Sequence, residues 1–363
     1  MFDRRLLKNF DFGLLTICLI ISFIGVLAIY SSTHFAKDTD LYTKQLAWLG
    51  AGIILLLCAT FVNYRILWEM AYPLYIISII LLLGVAIFGK IALGAQRWFK
   101  IGTYSIQPSE FAKLAFIVAL ARYLSPEGIK RKINTLKDLL FPVLLLALPF
   151  LLTMFQPDLG SASVFIFIFF GMLFFAGAKF SHLLTLVCIG ISFIPFAWFF
   201  LRDYQRSRLM VFFDPSRDPL ASGYHIIQSK ITIGSGRLFG KGFLSGSQTQ
   251  LRFIPKQHTD FIFSVIGEEF GFLGTSIILL FFFFFIYRAM KAASTKDMFG
   301  RLLSVGIISG ITFQIFINLA MSVGLAPVTG LPLPLLSYGG SSLVATLIGV
   351  GIILNVRMRK FMF

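Results

Sequence analysis

The chain has 363 residues, of which 57% are hydrophobic and only 13% are charged, and it contains 43 phenylalanines. Because so few charged side chains could not cover the surface of a soluble protein, the composition excludes a soluble fold and indicates a polytopic membrane protein. The formal net charge is +16. The basic residues are scattered and form no single patch, so topology and contact with anionic lipids explain this charge better than nucleic acid binding.

Ten apolar runs are long enough to cross a membrane as helices, which requires about 17 to 25 residues each. Their continuity differs from the alternating pattern of a lipid-facing strand. The sequence therefore predicts an all-α polytopic fold in which residues 1–363 form a single ten-helix membrane domain. The predicted spans are Phe12–Tyr30, Gln45–Val62, Tyr72–Phe88, Ser109–Leu124, Leu139–Phe155, Leu159–Gly177, Leu183–Leu201, Phe261–Tyr287, Leu302–Gly324 and Gly340–Val356.

Basic residues in the short loops predict the orientation, because they concentrate on the cytoplasmic side. With the N-terminus in the cytoplasm, that side collects Arg4, Arg5, Lys8, Arg65, Lys130, Arg131, Lys132, Lys137, Lys179, Arg288, Lys291, Lys296, Arg301, Arg357, Arg359 and Lys360. The opposite short loops hold Lys37, Lys44, Lys90, Arg97 and Lys100. Both termini are therefore predicted to be cytoplasmic, and residues 202–260 are predicted to form one large extracytoplasmic loop.

The first outer loop contains Asp38-Thr39-Asp40. This triplet has the form of the metal-binding DxD motif of soluble sugar-nucleotide enzymes. The triplet is short and common, and most charged residues in short loops are simply solvated. The sequence alone leaves both interpretations open.

The start of the fourth span carries two ionisable residues, Glu110 and Lys113. Each costs on the order of 3 kcal/mol at a helix centre, so such residues usually have partners or a function. Three positions apart, they share one helix face and can form an ion pair. The spacing allows either a self-satisfied structural pair or a functional one.

A short outer turn, Gln156-Pro-Asp158-Leu-Gly160, separates two apolar runs. Asp158 is a candidate site residue at the outer surface. The commoner use of an aspartate in this position is to cap the following helix.

The large loop, residues 202–260, has an excess of cations that suits an anionic ligand such as a phosphate group. Within it, Ile233-Gly-Ser-Gly236-Arg-Leu-Phe-Gly240-Lys241-Gly242 resembles a phosphate-cradling turn but matches neither nucleotide fingerprint. Glycines there permit tight turns, and Lys241 or Arg237 is a candidate anion contact. The alternative for the whole loop is a solvated connector.

The loop ends at Asp260, directly before the eighth span. With Thr259, Asp260 could cap the helix. A carboxylate at the mouth of a membrane span could equally serve as a general base. Glu268 and Glu269 follow about 12 Å further along the predicted helix and must face protein or a wet cavity.

Four motifs in order along the chain resemble those of the SEDS family (shape, elongation, division and sporulation), over nearly the whole length. The Phe253-Ile-Pro lead is more similar to the elongation members than to the division members. The motifs are Gln107-Pro-Ser-Glu110-Phe-Ala-Lys113, Gln156-Pro-Asp158-Leu-Gly, Phe253-Ile-Pro-Lys-Gln-His258-Thr-Asp260 and Pro332-Leu-Pro-Leu-Leu-Ser337-Tyr338-Gly-Gly-Ser-Ser342.

This resemblance implies a GT-C-like peptidoglycan glycosyltransferase that polymerises lipid II at the outer face of the bacterial cytoplasmic membrane, for cell elongation and rod shape. By the same resemblance, Asp260 corresponds to the essential acid of the His-Thr-Asp motif that contains His258. Substrate or phosphate contacts are implied at the positions of the family motifs, namely Glu110, Lys113, Asp158, His258 and Arg97, the last of which lies in a Gly-Ala-x-Arg-Trp site.

The implied chemistry assigns Asp260 as the base that takes a proton from the acceptor 4-hydroxyl while undecaprenyl diphosphate leaves. Cations must stabilise the diphosphate. They are Lys113, Arg97 and basic loop residues such as Lys241, or a divalent Mg²⁺ or Mn²⁺ that Asp260 helps to hold. The donor sugar is already lipid-linked, so no nucleotide is expected.

The resemblance also implies partners: a class B penicillin-binding protein, lipid II, the undecaprenyl-linked glycan and membrane lipids, but no nucleic acid. Gly306-Ile-Ile-Ser-Gly310 in the ninth span would permit close contact with the partner's helix. Two other functions stay open. A lipid II flippase would suit the polytopic architecture and intramembrane charges, and a non-enzymatic scaffold would need no acid at the membrane mouth.

Overall fold

The computed structural model describes residues 9–34, 40–92, 95–102, 104–126, 133, 135–201, 203–214, 222–254 and 257–360. Several predicted features fall outside these residues, including parts of the 202–260 loop and the first two residues of the DxD triplet. They are Arg4, Arg5, Lys8, Lys37, Asp38, Thr39, Lys130, Arg131, Lys132, Arg202, Arg217 and Lys256.

The described residues form fourteen α-helices and three short strands. The helices are α1 Phe12–His34, α2 Leu41–Phe61, α3 Arg65–Glu69, α4 Ala71–Phe88, α5 Pro108–Leu124, α6 Leu140–Phe155, α7 Leu159–Phe175, α8 Phe180–Phe200, α9 Asp203–Phe213, α10 Ser222–Ser235, α11 Ser247–Gln250, α12 Ile262–Ala293, α13 Met298–Ser322 and α14 Gly340–Met358. The strands are β1 Lys90–Ala92, β2 Ala95–Ile101 and β3 Tyr104–Ile106.

Each of the ten predicted spans coincides with a helix. Seven are long and apolar enough to cross a membrane by themselves: α1, α2, α4, a segment containing α6, α12, α13 and α14. The apolar helices in α7 and α8 are shorter. Helix α5 has 17 residues and buries Glu110 and Lys113. Buried residues from all ten helices belong to one continuous hydrophobic cluster. The predicted polytopic α-helical fold is confirmed.

A small antiparallel sheet between α4 and α5 was not predicted. Strand β2 pairs with β1 on one side and with β3 on the other, where Phe99 lies opposite Ile106. Strands of three to seven residues carry too little hydrophobic periodicity to be recognised in a short loop. The sheet matters for the site because Arg97 lies on β2.

Contacts between helix ends sort them into two sides of the bundle. On one, the Asp11 side, the buried Asp11 carboxylate contacts Arg288 at 2.7 Å and also Arg357, which joins the start of α1 to the ends of α12 and α14. On the other, the Asp260 side, Gln45 Nε2 donates to Ser337 O at 3.2 Å. That contact joins the start of α2 to the segment preceding α14. The grouping agrees with the alternation of ten consecutive spans.

Helix α12 is broken at Gly271, where φ is +64° and ψ is −157°. Residues Gly236–Gly242, here called the clasp, pair with the backbone around the break. The N–H groups of Phe272 and Leu273 donate to clasp carbonyls at 2.8 and 3.1 Å, and clasp N–H groups donate to the carbonyls of Glu268 and Glu269 at 3.0 and 2.9 Å. Because unpaired backbone groups are costly at membrane depth, the clasp is what makes the break tolerable.

Glu268 joins the clasp to the rest of the large loop. Its fully buried carboxylate accepts from Lys241 Nζ at 2.7 Å, Gln248 N at 2.9 Å, and Thr249 N and Oγ1 at 2.9 and 2.7 Å. Glu269 is also buried and accepts from Ser31 Oγ and from Leu244 N at 3.2 Å. Both acids face protein, as predicted.

The prediction that Gly306 and Gly310 form a partner-binding surface is wrong. A Cβ built on Gly306 would lie 2.7 Å from Ile117 and 2.8 Å from Met172, and one on Gly310 would lie 3.1 Å from Ile168. Both glycines lie inside the bundle, where they allow α13 to pack closely on α5 and α7 of the same chain.

We expect Gly271→Ala to destabilise the protein, because its combination of φ and ψ is essentially confined to glycine and costs another residue about 1–3 kcal/mol. The added Cβ would also lie 2.7 Å from the carbonyl carbon of Leu238 in the clasp. Gly190→Ala is the matched control, since a Cβ there meets nothing within 4 Å and the site is exposed in α8. Thermal unfolding in detergent should show a lower midpoint for Gly271→Ala only, and equal midpoints would contradict the role assigned to the break.

Candidate active site

Asp260 lies in the turn directly before α12, one residue ahead of the N-cap position. The N-cap position is Phe261, whose side chain makes no capping hydrogen bond. The backbone oxygen of Asp260 instead accepts a hydrogen bond of 3.0 Å from Asn318 Nδ2, which also donates to Leu331 O at 2.7 Å. The prediction that Asp260 occupies the N-cap position is therefore wrong, and the end of α13 fixes the backbone of the acid.

The Asp260 carboxylate faces Gly330 together with a cationic residue, Arg208. A Cβ built on Gly330 would lie 3.9 Å from Asp260 Oδ2 and 4.0 Å from Arg208 Nη1. Arg208 also donates to Val328 O at 3.1 Å. Gly330 has a φ of +76°, so a larger residue would be strained and would crowd both side chains. The Asp260 carboxylate and the Arg208 guanidinium thus both lie close to the backbone of Gly330.

His258 contacts Tyr338, in the motif that precedes α14. Tyr338 N donates to His258 O at 2.9 Å, and the two rings meet edge to face at 5.9 Å. Burial raises the pKa of the Tyr338 hydroxyl, with a smaller contribution from nearby Tyr104. Tyr338 therefore stays neutral near physiological pH. These contacts show how His258 is positioned, and its predicted contact with substrate stays a prediction.

Asp158 caps α7 and binds Arg97. Its carboxylate accepts from Ser161 N at 3.2 Å and Ser161 Oγ at 2.9 Å, and Arg97 Nη1 lies 3.5 Å from it. Arg97 also donates to the carbonyls of Gln156, at 3.1 Å, and Pro157. The guanidinium therefore ties β2 to the 156–158 turn. Capping, one of the two predicted roles of Asp158, is confirmed.

Gln107 connects this turn to the start of α14. Its Nε2 donates to Asp158 Oδ2 at 3.1 Å, and its backbone N–H donates to Ser341 Oγ at 2.9 Å. The motifs that contain Gln107, Asp158 and Ser341 therefore meet here, although they are far apart along the chain.

Glu110 and Lys113 form a buried ion pair at the edge of a cavity. Lys113 Nζ lies 2.8 Å from Glu110 Oε2, and the side chains are 7% and 4% exposed for lysine and glutamate. The cavity has a volume of about 40 Å³. Its lining combines the pair with aliphatic residues and two neutral polar ones: Leu114, Ile117, Val164, Ile168, Ile307, Gly310, Ile311, Gln314, Ala345 and Thr346.

Helix α13 joins this cavity to Asp260. Gln314 lines the cavity, and Asn318, which fixes Asp260, follows it by four residues. One helical turn rises about 5.4 Å and returns to the same face, so the two amides lie one above the other. Neither residue was predicted, because an uncharged amide stands out less than an ionisable residue in an apolar run, although two amides at i and i+4 there carry a similar signal.

Lys241 makes its described contacts away from Asp260 and from the Glu110–Lys113 pair. Its ammonium contacts Glu268 at 2.7 Å and Ser247 Oγ at 2.9 Å. The anion beside the glycine-rich segment is thus a carboxylate of the same chain. This pairing accounts for Lys241 structurally, and its predicted phosphate contact stays a prediction.

Among the described residues, no group of three or more His, Cys, Asp or Glu side chains is placed to hold a metal ion. A cation bound by the described side chains would therefore need ligands from a substrate as well. Carboxylate and phosphate oxygens are suitable ligands for Mg²⁺.

The profile of the FtsW/RodA/SpoVE family, described as cell cycle protein, matches residues 11–361. The peptidoglycan glycosyltransferase MrdB of Escherichia coli strain K12 is 38% identical over 356 residues, which cover 98% of this chain and 95% of that protein.

Two solved structures have the same fold. A chain from a study of polymerisation and crosslinking by a peptidoglycan synthase complex is 35% identical, with a TM-score of 0.84 over 98% of this chain and 99% of that one. The rod shape determining protein RodA of Thermus thermophilus is 32% identical, with a TM-score of 0.73 over 97% and 98% of the two chains.

We expect Lys113→Met to destabilise the protein by about 3–5 kcal/mol, because it leaves the Glu110 carboxylate buried without its partner. The double variant Glu110→Gln, Lys113→Met removes both charges and should recover most of that loss. Thermal midpoints in detergent measure the difference. A double variant no more stable than Lys113→Met would contradict a charge-pairing role.

Proposed function

The chain belongs to the FtsW/RodA/SpoVE family of cell cycle proteins, and we propose that the crevice between Asp260 and the Glu110–Lys113 pair is its active site. The protein is a multi-pass membrane peptidoglycan glycosyltransferase of the RodA type. One observation carries the proposal. Asn318 fixes the backbone of Asp260, and Gln314, one turn away on the same helix, lines the cavity of the Glu110–Lys113 pair.

The proposed substrate is lipid II, both as donor and as acceptor. An Asp260 carboxylate oxygen takes the proton from the 4-hydroxyl of the acceptor sugar, and the 4-oxygen of that sugar bonds to the anomeric carbon of the donor. The bond between this carbon and the diphosphate breaks, and undecaprenyl diphosphate leaves with the bonding electrons. A positioned base contributes about 10²- to 10⁴-fold to such a reaction.

The leaving diphosphate carries a growing negative charge, and cations in a water-poor site stabilise it strongly. Lys113 is the proposed contact, since it opens onto the cavity. Arg208 lies near Asp260 and can act at the other end of the crevice. Arg97 acts indirectly in this proposal, because its donors go to Asp158 and to the carbonyls of the 156–158 turn.

A divalent cation, Mg²⁺ or Mn²⁺, is a second way to offset the diphosphate charge. Mg²⁺ in enzymes commonly takes one or two carboxylates and completes its shell with substrate phosphates and water. Asp260 is the proposed carboxylate ligand of such an ion. Such an ion would supply electrostatic stabilisation of the leaving group.

Orientation and partner are further parts of this proposal. We propose that the Asp11 side is cytoplasmic, because Arg288, Arg301, Arg357 and Arg359 lie at helix ends on that side. Asp260 then faces the outside of the bacterial cytoplasmic membrane. A class B penicillin-binding protein is the proposed partner, supported by the similarity to a chain from a complex that coordinates polymerisation with crosslinking. With Gly306 and Gly310 buried, its helix must contact a lipid-facing surface.

The flippase and scaffold alternatives differ from this proposal in one respect. Neither a flippase nor a scaffold makes glycan strands, so neither requires the Asp260 carboxylate as a base. Purified protein supplied with lipid II on the accessible side separates them, because only a polymerase forms glycan under those conditions.

We predict that Asp260→Asn lowers glycan polymerisation by at least about a hundredfold, since the amide keeps the size of the side chain but cannot accept the proton. Asp40→Asn is the matched control. Asp40 is exposed, precedes α2 and makes no side-chain capping bond. Strand synthesis by purified protein, at equal amounts of folded enzyme, is the measurement. An active Asp260→Asn enzyme would remove Asp260 from catalysis, and an inactive Asp40→Asn enzyme would implicate the DxD triplet.

We also predict that Asn318→Asp lowers kcat, because a carboxylate oxygen cannot donate to the carbonyls of Asp260 and Leu331. Asn355→Asp is the control, since Asn355 Nδ2 likewise bridges two carbonyls, those of Ala59 and Val62, but on the Asp11 side. Both variants should lose stability, and only Asn318→Asp should lose kcat per folded molecule. Equal kcat values would reduce Asn318 to a purely structural role.

A further inference from the structure

Residues 332–342, the last of the four family motifs, contain no acid or base apart from Tyr338. The segment is nevertheless buried, with Leu336 and Ser337 only 0% and 4% exposed. Leu335 has a φ of +66°, a left-handed conformation that is costly for a leucine and persists only where the surrounding structure holds it. A strained, buried segment without charged groups can serve a reaction by holding its neighbours in place.

Gln45, on α2, holds the backbone of this segment at two points. Its Nε2 donates to Ser337 O at 3.2 Å, and its Oε1 accepts from Gly339 N at 3.3 Å. An amide side chain carries both a donor and an acceptor, and only one orientation of it satisfies this carbonyl and this N–H together. Gln45 is 1% exposed, so it holds protein backbone and not a substrate.

Trp48 lies one turn further along α2 and packs on the same segment. A Cβ built on Gly340 would collide with the Trp48 ring, so the ring rests directly on the glycine backbone. Trp48 also meets Tyr104 of β3 edge to face, with the ring centroids 5.3 Å apart. The first turns of α2 therefore hold residues 337–340 both by hydrogen bonds and by packing.

Tyr338 connects the held segment to the acid. It lies between the two residues that α2 holds, and its N–H donates to His258 O at 2.9 Å. His258 precedes Asp260 by two residues, and Asn318 Nδ2 donates to the backbone oxygen of Asp260 at 3.0 Å. The backbone that carries the acid is thus held at two nearby points, one from α13 and the other, through Tyr338, from α2.

We propose that Gln45 is a positioning residue for the glycosyl transfer, acting on Asp260 through the hydrogen bond between Tyr338 and His258. This role rests on the proposed function, in which Asp260 is the base. Misplacing a catalytic group by about 1 Å lowers a rate by up to about a hundredfold, even when the changed residue lies far from the chemistry. Loss of the Gln45 hydrogen bonds therefore lowers kcat and leaves KM for lipid II unchanged.

Gln45→Met keeps the approximate length of the side chain and removes both hydrogen bonds. In purified full-length protein, at equal amounts of folded enzyme, kcat for lipid II polymerisation should fall about tenfold. In an Asp260→Asn background the same substitution should change the residual rate by less than about twofold, because residues that act as a unit have non-additive effects. The carboxylate that Gln45 positions is already absent there.

Thr60→Val is the matched control. Thr60 is buried on the same helix, and its Oγ1 donates to Gly351 O of α14 at 3.3 Å, at the opposite end of this helix pair. The variant should lose stability but keep the wild-type kcat per folded molecule. Hydrogen exchange of the Tyr338 amide needs no activity, and it should be faster than in the wild type in Gln45→Met only.

Ser337→Ala tests the same segment if Gln45→Met does not fold. It removes the hydroxyl that accepts from Leu333 N at 2.9 Å, and its loss of kcat should likewise disappear when the Asp260 carboxylate is absent. An equal loss of kcat with and without that carboxylate, or a raised KM at unchanged kcat, would overturn the positioning role.

The positioning role and the proposed function fail separately. If Asp260→Asn loses polymerisation but Gln45→Met keeps the wild-type kcat, the proposed function stands and the role of Gln45 falls. If Asp260→Asn polymerises lipid II at the wild-type rate, the proposed base falls, and faster exchange at Tyr338 in Gln45→Met leaves only the structural link from α2 to His258.

Discussion

Irregular backbone at membrane depth must find hydrogen-bond partners inside the protein, and this constraint shapes the whole Asp260 side of the molecule. Helix α12 breaks at Gly271, and the clasp supplies the partners that the helix loses there. The turn that carries Asp260 is likewise held by a side chain, because Asn318 Nδ2 donates to its backbone oxygen and to that of Leu331. The position of Asp260, which lies on irregular backbone, is therefore fixed by a residue of the regular helix α13.

The second constraint is the cost of buried charge, which is tolerated only when the charge is paired. Glu110 contacts Lys113, Asp158 contacts Arg97, and Glu268 contacts Lys241. These pairs have different roles. The last two connect loops to helices, whereas the first opens onto a cavity that also contains an amide donor.

Local features of the site were predictable from sequence, and long-range ones were not. The spacing of Glu110 and Lys113 predicted their contact, and the position of Asp158 before an apolar run predicted a helix cap. Apolar length alone predicted the ten spans. By contrast, the partner of Lys241 lies 27 residues away, and the break at Gly271 is one glycine among several in the same run. The role of Asn318 depends on Leu331 and Asp260 meeting in space, which no local pattern encodes.

The most direct test of Asp260 as general base is the pH dependence of kcat/KM for lipid II polymerisation by the purified enzyme. A carboxylate base must be ionised to act, so the wild-type rate should rise with pH along an acidic limb of unit slope and then level off. The residual rate of Asp260→Asn should lack that limb, because the group that titrates has been removed. An acidic limb that persists in Asp260→Asn with the same midpoint would show that another group is the base and would contradict the account.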